Sequence, residues 1–177
     1  MREYGYRPKM RANELKGDQT EAGSMAEAVP EKVRELAKFL GVDVDDIEEQ
    51  DWGNYFEVGN EEYRVMTDEE ADEAVKEYIE ESVWSFNTWF IIDHSKLPYE
   101  ATAMLESFQG DKCEDANDTI LALIEDLDEF VKDAVSADGR GHFLSGYDGV
   151  EEEITIMRER ENGIDLYEDY LYIYRVN

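Results

Sequence analysis

The sequence predicts an α+β fold that is mainly helical and contains a small antiparallel sheet. Hydrophobic residues make up 42% of the 177 positions, which is sufficient for a packed core. Apolar residues recur at helical spacing through the middle of the chain. Two pairs of short β-type segments lie on either side of this helical region.

Residues 1–29 differ from the rest of the chain in charge and pattern. Five basic and five acidic side chains balance there, apolar periodicity is missing and glycine is frequent. We therefore expect a flexible, near-neutral arm over residues 1–29. A single acidic globular domain is expected over residues 30–177, because that length suits one domain.

The first predicted helix begins at Pro30 and ends near Leu40, with Gly41 as its C-terminal cap. Its apolar stripe consists of Val33, Leu36, Ala37 and Leu40. Residues 42–50 then predict one acidic turn or a short helix around Ile47.

A hairpin is predicted where Gly59-Asn60 separates the β-type segments 55–58 and 62–66. Two further β-type segments, 153–157 and 170–176, close the chain. In the last segment the tyrosines alternate with aliphatic residues, which is the pattern of a strand with two different faces.

Thr67 and Glu70 have the spacing of a capping box, so a helix is predicted to begin after Thr67. Residues 83–92 follow this helix, are nearly all apolar and are expected in the core. The predicted inner side of the helix carries Ala71, Val75, Tyr78, Ile79, Ser82 and Phe86. The predicted outer side carries Glu69, Asp72, Glu73, Glu77, Glu80 and Glu81.

A shorter helix is predicted over 98–109, with Gly110 ending it. The longest predicted helix spans about 112–137. Its buried stripe is Ala116, Ile120, Leu123, Ile124, Leu127, Phe130, Val131 and Ala134. Its opposite face is predicted to be a ladder of carboxylates, formed by Asp115, Asp118, Glu125, Glu129 and Asp133.

Charge is the property of this chain that says most about function. The formal net charge is −29, and residues 31–177 carry all of it, with 41 acidic and 12 basic side chains. A folded chain of this size has roughly 9,000 Å² of surface, or about one net negative charge per 300 Å². Such a field excludes ordinary nucleic-acid binding and opposes compaction. A basic partner, a very salty solvent or a role as a solvating tail could each account for it.

The solvating-tail explanation is excluded by the aromatic content of 12%, since disordered acidic chains contain few aromatic residues. Salt adaptation remains a rival, although glutamate outnumbers aspartate by 28 to 18 and lysine, with 8 residues, is about as frequent as arginine, with 9. Solvated helix faces normally mix both charge signs, whereas Lys112 and Lys132 are the only bases in residues 111–137. This one-sided surface favours selection for the field itself.

Catalytic and ligand-binding chemistry is weakly represented in the sequence. Residues 139–149 predict a glycine-rich loop carrying Arg140 and His142, and His142 near Asp148 is the one arrangement that suggests a general base. The acidic clusters do not match the register of a calcium-binding loop, and Cys113 lacks the partners of a zinc site. We therefore expect no enzyme activity, no metal and no cofactor.

The single cysteine and the lack of an eighteen-residue apolar run indicate a protein of the reducing cytoplasm without a membrane segment. Residues 62–74, 82–86, 139–149 and 172–177 resemble segments of small acidic proteins of bacteriophages and mobile elements, most of which have no established activity. In charge and size the chain is similar to DNA-mimicking anti-restriction proteins of the ArdA and Ocr types. That similarity implies a stoichiometric inhibitor that occupies the DNA-binding groove of a host defence enzyme, although the near-neutral arm departs from it.

The leading hypothesis is a cytoplasmic anti-defence inhibitor of the anti-restriction or anti-CRISPR kind. It would bind a basic DNA- or RNA-handling host protein through the two carboxylate faces and would not bind nucleic acid or membrane directly. The alternatives are an accessory acidic interaction module, a salt-adapted protein without mimicry and, least favoured, an enzyme using His142 and Asp148. A homodimer is compatible with the sequence.

Overall fold

A computed structural model describes residues 29–50, 54–159 and 166–177 of the chain. The predicted α+β class is confirmed, since helices surround one five-stranded antiparallel sheet. The predicted arm lies almost entirely outside the described residues. No helix among the described residues is long and apolar enough to cross a lipid bilayer.

The strands of the sheet are β1 (Ile47–Glu49), β2 (Tyr55–Val58), β3 (Glu61–Met66), β4 (Glu152–Glu159) and β5 (Leu166–Arg175). Their order in the sheet is β1-β2-β3-β5-β4, and all neighbouring strands are antiparallel. Strand β5, the last in sequence, therefore lies between β3 and β4 and connects the first three strands to β4.

The predicted hairpin is confirmed, with Gly59 at φ 67° in the turn between β2 and β3. Both predicted C-terminal β-segments are strands and pair with each other. Of the two alternatives predicted for residues 42–50, the acidic turn is present at Val44–Asp46, whereas no helix forms around Ile47. A 3₁₀ turn ends at Asp46, and Ile47 begins β1 because its branched side chain is buried and its backbone pairs opposite Val58.

Seven α-helices lie in the described residues: α1 (Glu31–Leu40), α2 (Asp68–Ser82), α3 (Thr88–Asp93), α4 (Thr102–Lys112), α5 (Asn117–Leu121), α6 (Leu127–Asp138) and α7 (Arg140–Leu144). The predicted caps of the first two helices are confirmed. Gly41 ends α1 in the left-handed conformation. At the start of α2, the Thr67 hydroxyl accepts from the Glu70 amide, and the Glu70 carboxylate accepts from the Thr67 amide at 2.8 Å.

The prediction of one long helix over 112–137 is wrong. The chain turns at Cys113, which has φ 50°, passes through a 3₁₀ segment and forms the separate helices α5 and α6. The Asp126 carboxylate accepts from the Glu129 amide, so it begins a new helix. The preceding residue is held away from helical geometry, because the Glu125 amide donates to the carbonyl of His94.

The predicted stripe of this region is nevertheless partly correct. Ala116, Ile120, Phe130 and Ala134 are all buried, although they come from three elements. The predicted end of the preceding helix at Gly110 is also wrong, because α4 continues through Gly110 to Lys112.

The predicted glycine-rich loop contains the short helix α7. Gly141 lies in this helix against the backbone that leads to β4. A Cβ atom there would overlap the carbonyl oxygen of Gly149 and lie 2.8 Å from the carbonyl carbon of Val150. This glycine therefore permits close packing of two backbones.

Two hydrophobic cores lie on opposite faces of the sheet. On one face, Leu171 and Ile173 of β5 pack with the apolar stripe of α1. On the other, Tyr172 and Tyr174 of the same strand pack against the helical layer. The predicted alternation of β5 is thus real, but both of its faces are covered from Leu171 to Tyr174.

The helical core includes the inner side of α2 and most of segment 83–92. Ala71, Val75 and Ile79 are fully buried, as are Val83 and Ile91. Two expectations fail at the boundary of this core, since Tyr78 and Trp89 are 47% and 54% exposed. Phe86 packs against the core as expected, although it lies beyond the end of α2 at Ser82.

Arg140 joins the helical layer to the sheet. Its guanidinium binds Glu151 through two nitrogens, at 2.8 and 3.2 Å, and binds Asp68 at 2.7 Å and Asp72 at 3.1 Å. The Tyr174 hydroxyl donates to the same Glu151 carboxylate at 2.6 Å. Burial acts to lower the pKa of Arg140, but the bonds to Glu151 and Asp68 outweigh it and raise that pKa.

We expect Arg140→Met to reduce the free energy of unfolding by about 3 kcal/mol, because it leaves the partly buried Glu151 carboxylate without its cation. Lys132→Met is the matched control, since Lys132 is exposed and has no ion pair among the described residues. Its effect should stay within about 0.5 kcal/mol. Urea unfolding measures both, and equal losses in the two variants would contradict the role assigned to Arg140.

Candidate partner-binding surface

The outer side of α2 carries the most regular row of carboxylates in the described residues. Glu69, Glu73 and Glu77 are all exposed and follow one another at steps of four residues. Each step advances about 6 Å along the helix axis, so the three side chains lie in a row. The predicted carboxylate face of α2 is therefore present as a continuous negative strip, which we call the α2 row.

Two other predicted residues of α2 have different environments. Asp72 is exposed, but one of its oxygens binds Arg140, so its charge is partly neutralised within the fold. Glu80 is half-buried, and its backbone carbonyl accepts a hydrogen bond from the Asn117 side chain. Both residues serve the fold as well as the surface.

The second predicted ladder does not exist as a continuous face. Asp115 lies in a 3₁₀ segment, Asp118 in α5, Glu125 in a loop, and Glu129 and Asp133 in α6. All five side chains are exposed, as predicted, but they follow no common axis.

Two members of this set have partners within the fold. The Glu125 carboxylate lies 3.4 Å from the Lys96 amine. The Asp133 carboxylate lies 3.2 Å from Nε2 of His94. These contacts join α6 and its preceding loop to the end of α3, so they contribute to structure before any partner binds.

A groove between α2 and α6 lies next to the α2 row. The cavity has a volume of about 600 Å³, and Val75, Val131 and Val135 form its apolar floor. Asp72 and Glu73 lie on its rim together with residues of α6. An apolar floor beside charged groups is a favourable composition for a protein contact.

Two lysines, Lys76 and Lys132, line this groove, and the sequence alone does not predict that they lie there. The Lys76 amine binds the Asp128 carboxylate at 2.6 Å across the groove. This hydrogen bond raises the pKa of Lys76. Lys76 is the one basic residue of α2, and Asp128 offsets its charge. Lys132, on α6, lines the same groove as Glu73 and places a positive charge on its α6 side.

Most basic side chains of the described residues are, like Lys76, paired with a carboxylate. Eight of the eleven Lys and Arg side chains in those residues form ion pairs with carboxylates. Lys32 binds Glu70 at 2.6 Å and links α1 to α2. Partial burial acts to raise the pKa of Glu70, but the bonds from Lys32 and Thr67 outweigh it and lower that pKa. The remaining carboxylates thus meet solvent with few cations between them.

A second acidic cleft lies beside the edge strand β1, where Asp45, Asp46, Glu48 and Glu57 line a cavity of about 520 Å³. Like charges oppose each other across β1 and β2, where Glu48 pairs with Glu57. No group of three or more His, Cys, Asp or Glu in the described residues has the arrangement of a metal site.

The structure does not bring His142 and Asp148 together. Asp148 accepts from the Ser145 hydroxyl at 2.8 Å and from the Val150 amide at 3.0 Å. The Val150 amide and the Ser145 hydroxyl lower the pKa of Asp148. His142 lines a different cavity, and its ring is nearly perpendicular to the Phe143 ring, with 5.0 Å between the ring centres. Asp148 thus fixes a turn, and none of the described contacts orients His142 as a base.

Comparison with protein-family models, with curated proteins and with solved structures gives no match for this chain.

Replacing Glu69, Glu73 and Glu77 together by Gln should stabilise the fold slightly. Three like-charge contacts at i,i+4 disappear, because Glu77 also lies four residues before the exposed Glu81, while Glu69 loses a favourable position in the first helical turn. We expect a net gain of about 0.5 kcal/mol in the free energy of unfolding.

The matched control replaces Glu100, Glu106 and Glu153 by Gln. These exposed residues lie on three separate elements, so the control removes the same charge without relieving a row. Urea unfolding at low salt compares the two triple variants. A clear loss of stability in the α2 variant alone would show that the row supports the fold, contrary to the repulsion expected between its members.

Proposed function

We propose that this protein is a cytoplasmic inhibitor of phage or mobile-element origin that binds a basic DNA- or RNA-handling host protein without catalysing a reaction. The observation that carries the proposal is the α2 row, whose helix has a single base, Lys76, already paired with Asp128. The row and the adjoining α2–α6 groove form the binding surface. The similarity in charge and size to anti-restriction proteins supports the same function.

The spacing of the α2 row supports mimicry of a nucleic-acid backbone. Four helical residues advance about 6 Å. Two nucleotide steps along one strand of B-form DNA advance about 6.8 Å. One carboxylate per step of four residues therefore gives about half the linear charge density of a DNA strand. Lys and Arg side chains arranged to follow phosphates can meet such a row with little rearrangement.

The unneutralised surface also accelerates encounter with a basic partner. Charge complementarity acts over about 10 Å at 0.1 M salt and mainly raises the association rate. The apolar floor of the α2–α6 groove then supplies contact area that charge alone does not. A solvated helix face that serves only solubility requires neither the regular row nor the groove.

We expect the tagged, full-length protein to capture a basic nucleic-acid-binding protein from bacterial lysate at about 50 mM salt. A duplex DNA added in excess should release that protein, because both compete for the same groove of the partner. Affinity should fall by roughly tenfold or more when salt is raised to about 200 mM. Surface plasmon resonance on the captured partner measures the rates.

The Gln variant of the α2 row should associate several-fold more slowly than the matched Glu100, Glu106 and Glu153 variant, although both remove three charges. Capture that is insensitive to duplex DNA would favour the accessory interaction module. Equal association rates for the two variants would contradict the α2 row as the binding surface.

A further inference from the structure

A small aromatic pocket lies on the other flank of α6 from the α2–α6 groove. It has a volume of about 300 Å³, and its walls are the rings of Tyr78, Phe86, Phe90 and Phe143. The Phe143 ring centre lies 5.9 Å from that of Tyr78 and 6.2 Å from that of Phe86. This volume is at the lower limit of ligand sites and suits a single side chain.

One carboxylate at this pocket forms no ion pair with the described residues, and the imidazole of His142 lines the same pocket. Asp138 lines the pocket and is exposed, and its carboxylate forms no ion pair or hydrogen bond with any of them. Two other polar groups of the pocket are occupied, since the Asn87 oxygen accepts from the Trp89 amide and the Ser85 hydroxyl donates to the Ser82 carbonyl.

Asp138 is also in an unfavourable position on its helix. It is the last residue of α6, where the helix dipole is negative, and the last turn of α6 contains no basic residue. A carboxylate there raises the energy of the helix, whereas a cation would lower it. The pocket therefore combines four aromatic side chains, an unpaired carboxylate and the negative end of a helix.

We propose that this pocket binds an arginine side chain of the basic partner. The inference rests on the proposed function and identifies the anchor of that partner. A guanidinium is weakly hydrated, stacks on aromatic faces and forms two parallel hydrogen bonds with a carboxylate. A purely apolar side chain would cover Asp138 without neutralising it, which is unfavourable.

The test is an NMR titration of the ¹⁵N-labelled full-length protein with N-acetyl-arginine amide. Saturable shifts should appear at the amides of Tyr78, Asp138, His142 and Phe143, at roughly millimolar ligand. N-acetyl-citrulline amide has nearly the same shape without the charge and should bind at least about tenfold more weakly. N-acetyl-norleucine amide reports on binding of an apolar side chain.

Two substitutions at exposed positions test the pocket residues. Asp138→Asn and Tyr78→Leu should each weaken arginine binding about fivefold or more, the first by removing the charge and the second by removing a ring face. Asp111→Asn is the matched control, because Asp111 is an exposed aspartate in the last turn of α4 and lies outside the aromatic pocket. It should leave the titration unchanged.

Shifts spread over the whole acidic surface without saturation would overturn the proposal, as would equal effects of Asp138→Asn and Asp111→Asn. Tighter binding of the norleucine amide would overturn it in favour of an apolar anchor. If these results occur while duplex DNA still releases a captured basic protein, the pocket assignment fails and the proposed function stands. If arginine binds here but no basic protein is captured, the pocket stands and the proposed function fails.

Discussion

Arg140 makes the contacts on which the arrangement of helices and sheet depends. Its guanidinium holds Glu151 before β4 and both Asp68 and Asp72 at the start of α2, and it lies 4.2 Å from the centre of the Tyr172 ring on β5. In a chain with so few cations, each cation stabilises the fold most when it joins different elements. The pair of Lys32 with Glu70 follows the same rule. The negative charge of the surface comes from the carboxylates that these internal ion pairs do not neutralise.

The elements that can be predicted correctly are those specified by neighbouring residues. Gly41 ends α1, Thr67 and Glu70 cap α2, and the Gly59-Asn60 turn forms its hairpin, because each signal acts within about four positions. The break before α6 escapes prediction for the opposite reason. A continuous apolar period masks the cap at Asp126, and the bond from Glu125 to the His94 carbonyl comes from a distant part of the chain. The role of Gly141 likewise depends on a backbone that lies eight residues further on.

The candidate binding surface likewise has one part that the sequence predicts and one part that depends on tertiary packing. The α2 row is predictable, because helical periodicity places Glu69, Glu73 and Glu77 on one side. The groove is not, because it depends on how α2 packs against α6 and on the pair between Lys76 and Asp128. The same dependence on packing explains why the predicted ladder of Asp115, Asp118, Glu125, Glu129 and Asp133 is divided among four segments. Within the single helix α2, periodicity identifies the exposed residues and their neighbours, whereas across the break before α6 it identifies only which residues are exposed.

If the surface carboxylates are retained for a basic partner, the fold must tolerate them without concentrated salt. Two cores on opposite faces of the sheet and the ion pairs of Arg140 supply that tolerance. Thermal unfolding of the full-length protein from about 20 mM to about 2 M sodium chloride tests it most directly. We expect cooperative unfolding already in dilute buffer, with a melting temperature that rises modestly as salt screens the surface charges and then levels off. Loss of cooperative structure below molar salt would contradict this expectation and identify salt adaptation as the cause of the acidity.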